Sequence, residues 1–409
     1  MGRTVEVRDR ALSIILILIL VLSAASCDNA GTSKSSSDVD HSTRYYSPYF
    51  EGFFMERGYY YQDFDSLLHF FDYGSKQSVV VCNKPHCKHE RSDFTTPEHE
   101  RCPAWINSLA NGFVDEDKLY LILEDFDDKY GNSVIKIISS DLDRENQTEV
   151  ASFEAHYSLT YAVHEHSLYG TATIIHQEPN DQGIVKPSGK TSTWLYRVDL
   201  EEHKVEELTE KRTGYSNVFD MIGVHDGRLY LRFTHSDKPY DHTKPEETEV
   251  FWKYYIYDLE EKSLSPILDE YEDHMIFTLD FADDYMVLDL SREDLNFDGI
   301  NDDNNTIKEI IIKNDEIGTK TIGKTSESPK VTGGNIIFYN IEEKQWTVYD
   351  LSKDSKRTTF DFNKDIILHT AGDEYTSLIM KDVNSQEWNN ALIKNNDLIK
   401  GKDNFIILP

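Results

Sequence analysis

The chain has 409 residues, with 74 acidic against 42 basic side chains and a formal net charge of −32. Such a charge repels phosphate backbones and excludes nucleic acid as a partner, while it favours solubility and divalent cations. Apolar residues make up only 39%, yet aromatics reach 12% with 24 Tyr and 20 Phe, a composition suited to half-buried pleated sheets and a wide β-built core.

The first element is an apolar run from Ala11 to Ser26, preceded by Arg3, Arg8 and Arg10 and closed by Ala24-Ala25-Ser26 before Cys27. A charged start, a greasy middle and small residues before the cysteine make an export signal. The middle, about 15 residues, falls short of the roughly 20 that span a hydrocarbon core. The segment resembles the lipobox of bacterial lipoproteins, with Ala24 where Leu is commonest. That resemblance implies that residues 1–26 are removed and that Cys27 carries a diacylglyceryl thioether. It places the protein on the outer face of the cytoplasmic membrane, tethered by its N-terminal lipid; ordinary secretion with cleavage nearby is the alternative. Residues 27 to 44 are small and polar, as in a flexible linker, so one folded domain is expected over residues 45–409.

From Tyr45 the chain repeats a theme: two charged or glycine turn residues, then an apolar strand that often holds Tyr. It reads Arg57-Gly58-Tyr59, Asp117-Lys118-Leu119-Tyr120, His166-Ser167-Leu168-Tyr169, Gly227-Arg228-Leu229-Tyr230, Asp283-Asp284-Tyr285, Gly334-Asn335-Ile336 and Asp373-Glu374-Tyr375. Intervals of roughly 40 to 60 residues are those of propeller or solenoid arrays. A second theme trails it, an aromatic strand ending in Asp-Leu: Asp141-Leu142, Asp199-Leu200, Asp258-Leu259 and Asp350-Leu351, with Phe71-Asp72-Tyr73 as a variant. A short fourth strand follows each copy, as in Val205 to Leu208. Four strands per unit over seven units is the plan of an all-β, seven-bladed β-propeller of antiparallel blades, with six or eight blades as the alternatives. Helices should be few, because no long segment carries the i, i+3, i+4, i+7 pattern.

Every long insertion falls in a loop type that leaves one face of such a ring. Asp125 to Asn132, Gln177 to Thr193, Ser236 to Glu249 and Ser291 to Thr306 separate second and third strands, and Asn83 to Pro103 joins the first unit to the second. Loops on a rigid scaffold are where binding usually resides.

Two motifs carry chemistry. Asp294, Asn296, Asp298 and Asp302 offer oxygens at positions 1, 3, 5 and 9, Gly299 supplies the turn and Ile300 a backbone carbonyl, the pattern of a Ca²⁺ loop. It resembles the D-x-D-x-D-G-x-x-D loops of integrin α-subunit propellers. Position 12 is Asn305 where an EF-hand has Glu, which implies weak binding, near ~10⁻⁴ to 10⁻³ M. The other motif is Cys82, Cys87, His89 and Cys102. Three Cys and one His suit tetrahedral Zn²⁺, whereas an exported chain equally suits one disulfide and a spare thiol, and the spacing leaves both open. The stretch Cys82-Asn83-Lys84-Pro85-His86-Cys87-Lys88-His89 through Cys102-Pro103 is similar to one in propeller-like lipoproteins of clostridial-type Gram-positive bacteria. That resemblance implies location and fold, with no activity attached.

Gly183 to Thr191 ends in Gly-Lys-Thr, but the glycine spacing is not that of a phosphate loop and no helix follows. Neither G-x-S-x-G nor H-E-x-x-H occurs. The aromatic pairs Tyr45-Tyr46, Phe53-Phe54 and Phe70-Phe71 suit either sugar stacking or the core. The expectation from sequence is a monomeric, non-enzymatic surface propeller that binds a glycan, peptide or protein on its loop-rich face. An extracellular polysaccharide hydrolase or lyase on the same scaffold is the alternative.

Overall fold

The structure is a computed structural model that describes residues 43–46, 52–92, 95–97, 100–106, 109–127, 132–156, 160–179, 185–239, 248–291, 308–362, 365–381 and 387–408. The fold is nearly all β, as expected; the described helical turns are α1 (Asn395–Ile399) and two 3-10 turns at Asp269–Tyr271 and Leu351–Lys353.

Strand β1 is Thr43–Tyr46. Sheet one holds β2 (Phe53–Met55), β3 (Gly58–Gln62), β4 (Leu68–Asp72) and β5 (Gln77–Val80). Sheet two holds β6 (Leu109–Asp115), β7 (Lys118–Asp127), β8 (Asn132–Asp141) and β9 (Thr148–Glu154). Sheet three is β10 (Tyr161–His164), β11 (Ser167–Pro179), β12 (Val185–Asp199) and β13 (Lys204–Glu207). Sheet four is β14 (Arg212–His225), β15 (Arg228–Ser236), β16 (Val250–Asp258) and β17 (Ser263–Pro266). Sheet five is β18 (Met275–Ala282), β19 (Tyr285–Ser291), β20 (Lys308–Asn314) and β21 (Gly318–Thr325). Sheet six is β22 (Lys330–Thr332), β23 (Asn335–Asn340), β24 (Gln345–Asp350) and β25 (Ser355–Phe360). Sheet seven is β26 (Ile366–Ala371), β27 (Tyr375–Lys381), β28 (Trp388–Lys394) and β29 (Ile406–Ile407). Each is an antiparallel meander, the arrangement of propeller blades.

The two sequence themes meet in one local device. In sheets three, four and six both turn residues before the second strand adopt left-handed backbone: Glu165 and His166 at φ 44° and 56°, Asp226 and Gly227 at 48° and 66°, Gly333 and Gly334 at 53° and 68°. Positive φ at both central positions matches the right-handed twist of the flanking strands. The carbonyls of His166, Gly227 and Gly334 then accept from the N–H groups of Leu200, Leu259 and Leu351 at 3.1, 3.0 and 3.1 Å. Each Leu side chain is buried, and the preceding Asp closes the next turn: Asp199 accepts from the Glu201 and Glu202 N–H groups, and Asp258 from those of Glu260 and Glu261.

Neighbouring sheets bury apolar faces against each other around a full circuit. Sheets one, two and three share one cluster, and further clusters join three to four, four to five, five to six and six to seven. The circuit closes where Tyr59, Tyr61 and Phe71 of sheet one pack on Tyr375, Leu392 and Leu408 of sheet seven. Each end of the chain therefore supplies a whole four-stranded sheet, and closure rests on side-chain packing. First strands of successive sheets approach one another, β14 to β18, β18 to β22, β22 to β26 and β2 to β6, so they form the inner ring.

Two features depart from the sequence reading. Gln177 to Thr193 is largely paired strand: β11 and β12 run on together as far as Pro179↔Val185, and β12 also pairs with β14 from Lys190↔Tyr215 to Thr193↔Arg212. Sheets three and four are thereby fused, with the alternating Thr and Ser side chains of β12 placed to bridge both partners. Thr43 and Arg44, within the expected linker, already pair with β10, so β1 adds a strand to the inner edge of sheet three.

Candidate functional site

The Cys/His segment lies between β5 and β6. A turn closed by the Cys87 N–H on the Lys84 carbonyl at 3.2 Å, and left-handed backbone at His86 and His89, fold the segment back over Cys82. Cys102 arrives from the other side, 4% exposed, and the strand-like stretch after it docks on sheet one. There the Leu68 N–H donates to the Ala104 carbonyl at 2.8 Å and the Ile106 N–H to the Ser66 carbonyl at 2.9 Å. The result is a cluster in which the sulfurs of Cys82, Cys87 and Cys102 and one ring nitrogen of His89 all lie within 4.8 Å of one another. The three thiols are unbonded. Burial pushes the Cys102 thiol up to about 12 and also raises Cys82. Burial acts upward on Cys87 too, but the His89 N–H and the neighbouring thiols outweigh it and bring Cys87 below the ordinary range.

A second constellation, which the sequence reading did not single out, gathers on the inner strands of sheets five and six. Asp280, on the inner strand β18, is exposed to solvent although protein closes round it. This desolvation pushes its carboxyl up to about 6, against the opposing pull of its hydrogen bond from the Phe281 N–H and of Lys330. Lys330 begins β22 on the neighbouring inner strand, and burial pushes its amine down to about 8 despite Asp289 and Asp280 nearby. Behind them the Lys308 ammonium sits 3.3 Å from Asp289 Oδ2, and Glu327 faces both lysines, its carboxyl raised by burial. On the next inner strand, burial lowers His369 to about 4, so it is neutral near pH 7. The signal in the sequence was Asp289, set inside the apolar run Met286-Val287-Leu288-Asp289-Leu290.

Cys27 and the calcium-loop residues Asp294, Asn296, Asp298, Ile300 and Asp302 lie outside the described residues. Among the aromatic pairs, Phe53 is 1% and Phe71 3% exposed and both are core; Phe53 stacks on Tyr60 with centroids 4.9 Å apart, and Phe70 lies against the same ring.

No protein-family model matches the chain, and no curated protein does. Solved structures similar to it are propellers. The β-propeller domain of the Trilobed protease from Pyrococcus furiosus is 11% identical over 70% of this chain and 81% of that one, with a TM-score of 0.42. Pyrococcus horikoshii acylaminoacyl peptidase is 10% identical over 70% of this chain and 44% of that one, TM-score 0.42. Oligogalacturonate lyase in complex with manganese is 11% identical over 73% and 75%, TM-score 0.39. The expectation of a non-enzymatic binder is corrected here, because the propellers found to be similar are peptidases and a lyase.

Proposed function

We propose that this propeller is an extracytoplasmic enzyme that cleaves polysaccharide, by hydrolysis or elimination, with its acid–base chemistry in the Asp280 and Lys330 pair. The observation that carries this reading is a solvent-reached carboxyl and an amine on adjacent inner strands, each within the electrostatic reach of the other and both shifted toward neutrality. Catalytic acids and bases work best with pKa values near the operating pH, and opposed environments around paired titratable groups supply them. In hydrolysis Asp280 would protonate the departing glycosidic oxygen while water adds to the anomeric carbon and gives its proton to neutral Lys330. In elimination neutral Lys330 would take the proton α to a uronate carboxylate as the β C–O bond breaks, and Asp280 would protonate the oxygen that leaves. Carbohydrate fits better than peptide because the chain has neither a nucleophile elbow nor a zinc-protease helix motif.

The test is a panel of neutral and uronate polysaccharides, read for new reducing ends and for the ultraviolet absorbance of unsaturated products. Asp280→Asn and Lys330→Met should each lower turnover by about 10² to 10⁴. Cleavage that survives both substitutions would remove the pair from the mechanism. Location on the outer membrane face is supported by the run Ala11 to Ser26 and by Cys27. Metabolic labelling with a fatty-acid analogue, lost in Cys27→Ser, checks it. Calcium at Asp294, Asn296, Asp298, Ile300 and Asp302 is supported by their spacing alone, and loss of terbium luminescence in Asp298→Ala would bear it out.

A further inference from the structure

We propose that Cys82, Cys87, Cys102 and Nδ1 of His89 are the four ligands of a closed structural zinc site that rivets the connection between sheets one and two; this stands independently of the enzymatic reading. Three sulfurs and an imidazole nitrogen are the donor set that selects zinc among common divalent ions, and four protein ligands leave no position open for substrate. In a tetrahedral site with Zn–S bonds of about 2.3 Å, ligand atoms stand roughly 3.5 to 3.8 Å apart. Here Cys102 Sγ and His89 Nδ1 are 3.8 Å apart, and the whole set falls within 4.8 Å, so a small inward movement completes the tetrahedron.

A disulfide accounts for less of this arrangement. It joins two sulfurs and leaves a third thiol and an imidazole converging on the same point with no role. Left-handed backbone at His89, φ 53°, is an uncommon conformation for a non-glycine residue, and it is what carries this ring to Cys102.

The site also has a mechanical context. Cys82 directly follows Val81 at the end of sheet one, whereas Cys102 precedes the docking stretch Ala104 to Ile106. Within residues 83–101 the Asn83 amide reaches Asp143 at 3.2 Å, and the Lys84 ammonium ties the start of the segment to its end through the Arg101 carbonyl at 3.4 Å. Zinc would close this long connection at its base, beside the core that Cys102, Ala104 and Ile106 join. The metal replaces the thiol protons, which leave as the sulfurs bind as thiolates.

The experiment is elemental analysis of the purified full chain together with a free-thiol count under denaturing, non-reducing conditions. With Cys27 blocked by its lipid or replaced by Ser, we expect about one zinc per chain and three titratable thiols after chelation. Cobalt exchange should give thiolate charge-transfer bands and the intense visible bands of a tetrahedral centre. Cys87→Ser should abolish them, and His89→Cys should keep the metal in an all-sulfur site. A metal-free chain with a single free thiol, or zinc retained in Cys87→Ser, would overturn the assignment.

Discussion

Lys308 Nζ lies 3.3 Å from Asp289 Oδ2, where Asp289 has no exposed surface and its other carboxylate oxygen finds no partner among the described residues. The ammonium also sits over the Phe277 ring, 4.3 Å from its centroid. Desolvation of both charges is offset chiefly by their pairing, with Ser328 and Lys330 adding to the field at Asp289, so removing one partner leaves the other poorly compensated. Lys308→Met should destabilise the protein by about 3 kcal/mol, and Lys308→Met/Asp289→Leu should recover most of the loss. Urea denaturation of the two variants measures this. Burial raises the Asp289 carboxyl against the pull of Lys308, so the deficit in Lys308→Met should deepen as pH rises and the lone carboxyl is forced to ionise. Equal stability of wild type and Lys308→Met would mean that the pair contributes nothing.

Gly223 lies at a register shift in β14, where a Cβ would meet the Leu279 carbonyl of β18 at 2.2 Å. Backbone faces backbone here, so neither side can yield by rotating a side chain. Gly223→Ala should cost about 1 to 3 kcal/mol through separation of the inner strands of sheets four and five. Gly227→Ala is the control: it has open space and only the penalty of its φ of +66°, about 1 kcal/mol. Thermal melting of the pair should therefore rank Gly223→Ala below Gly227→Ala, and the reverse order would show that the strands part easily.

Some of this was legible in the chain because the repeat is local. At Leu200, Leu259 and Leu351 the Asp-Leu theme marks a buried leucine and a carboxylate that closes its own turn, both within a few residues, whereas Leu142 is exposed; strand alternation sets the rest. Cys82, Cys87, His89 and Cys102 were legible as a set, but their convergence depends on docking of Ala104 to Ile106 against Leu67 and Leu68, which spacing does not encode. Asp280 and Lys330 were not legible at all. They sit on the first strands of different sheets, and the packing of sheet five on sheet six brings those strands together. The insertion from Gln177 to Thr193 was misjudged as loop because pairing of β12 with two neighbours is a non-local gain.

Leu259 joins sheet four's third strand to its first turn through the bond from its N–H to the Gly227 carbonyl at 3.0 Å, with its side chain 8% exposed. Leu259→Ala should lose about 2 to 3 kcal/mol, as for other truncated core leucines. Asp258→Ala should lose less, since the N–H groups of Glu260 and Glu261 that it frees can turn to water. Hydrogen exchange offers a local reading: protection at Leu259 should drop in both variants while β19 and β23 keep theirs. A global loss in Asp258→Ala would show that the turn is more than a local fastening.

The inner-ring pair predicts two opposite slopes of stability with pH. Asp280 has a folded-state pKa of about 6, above its ordinary 3.8, so the folded chain holds a proton that the unfolded chain has lost. Its contribution is fully present below pH 3.8 and is lost as pH rises to about 6. Lys330 is displaced the other way, to about 8 from 10.5, so the unfolded chain holds the extra proton and stability rises between those values. Asp280→Asn should flatten the acid slope and leave the alkaline one, and Lys330→Met should do the converse. Because Asp280 retains solvent contact, its slope should be shallower than that of a sealed carboxyl. Chemical denaturation across the pH range reads both arms. An unchanged acid slope in Asp280→Asn would place the carboxyl in ordinary solvent and remove the acid on which the proposed cleavage depends.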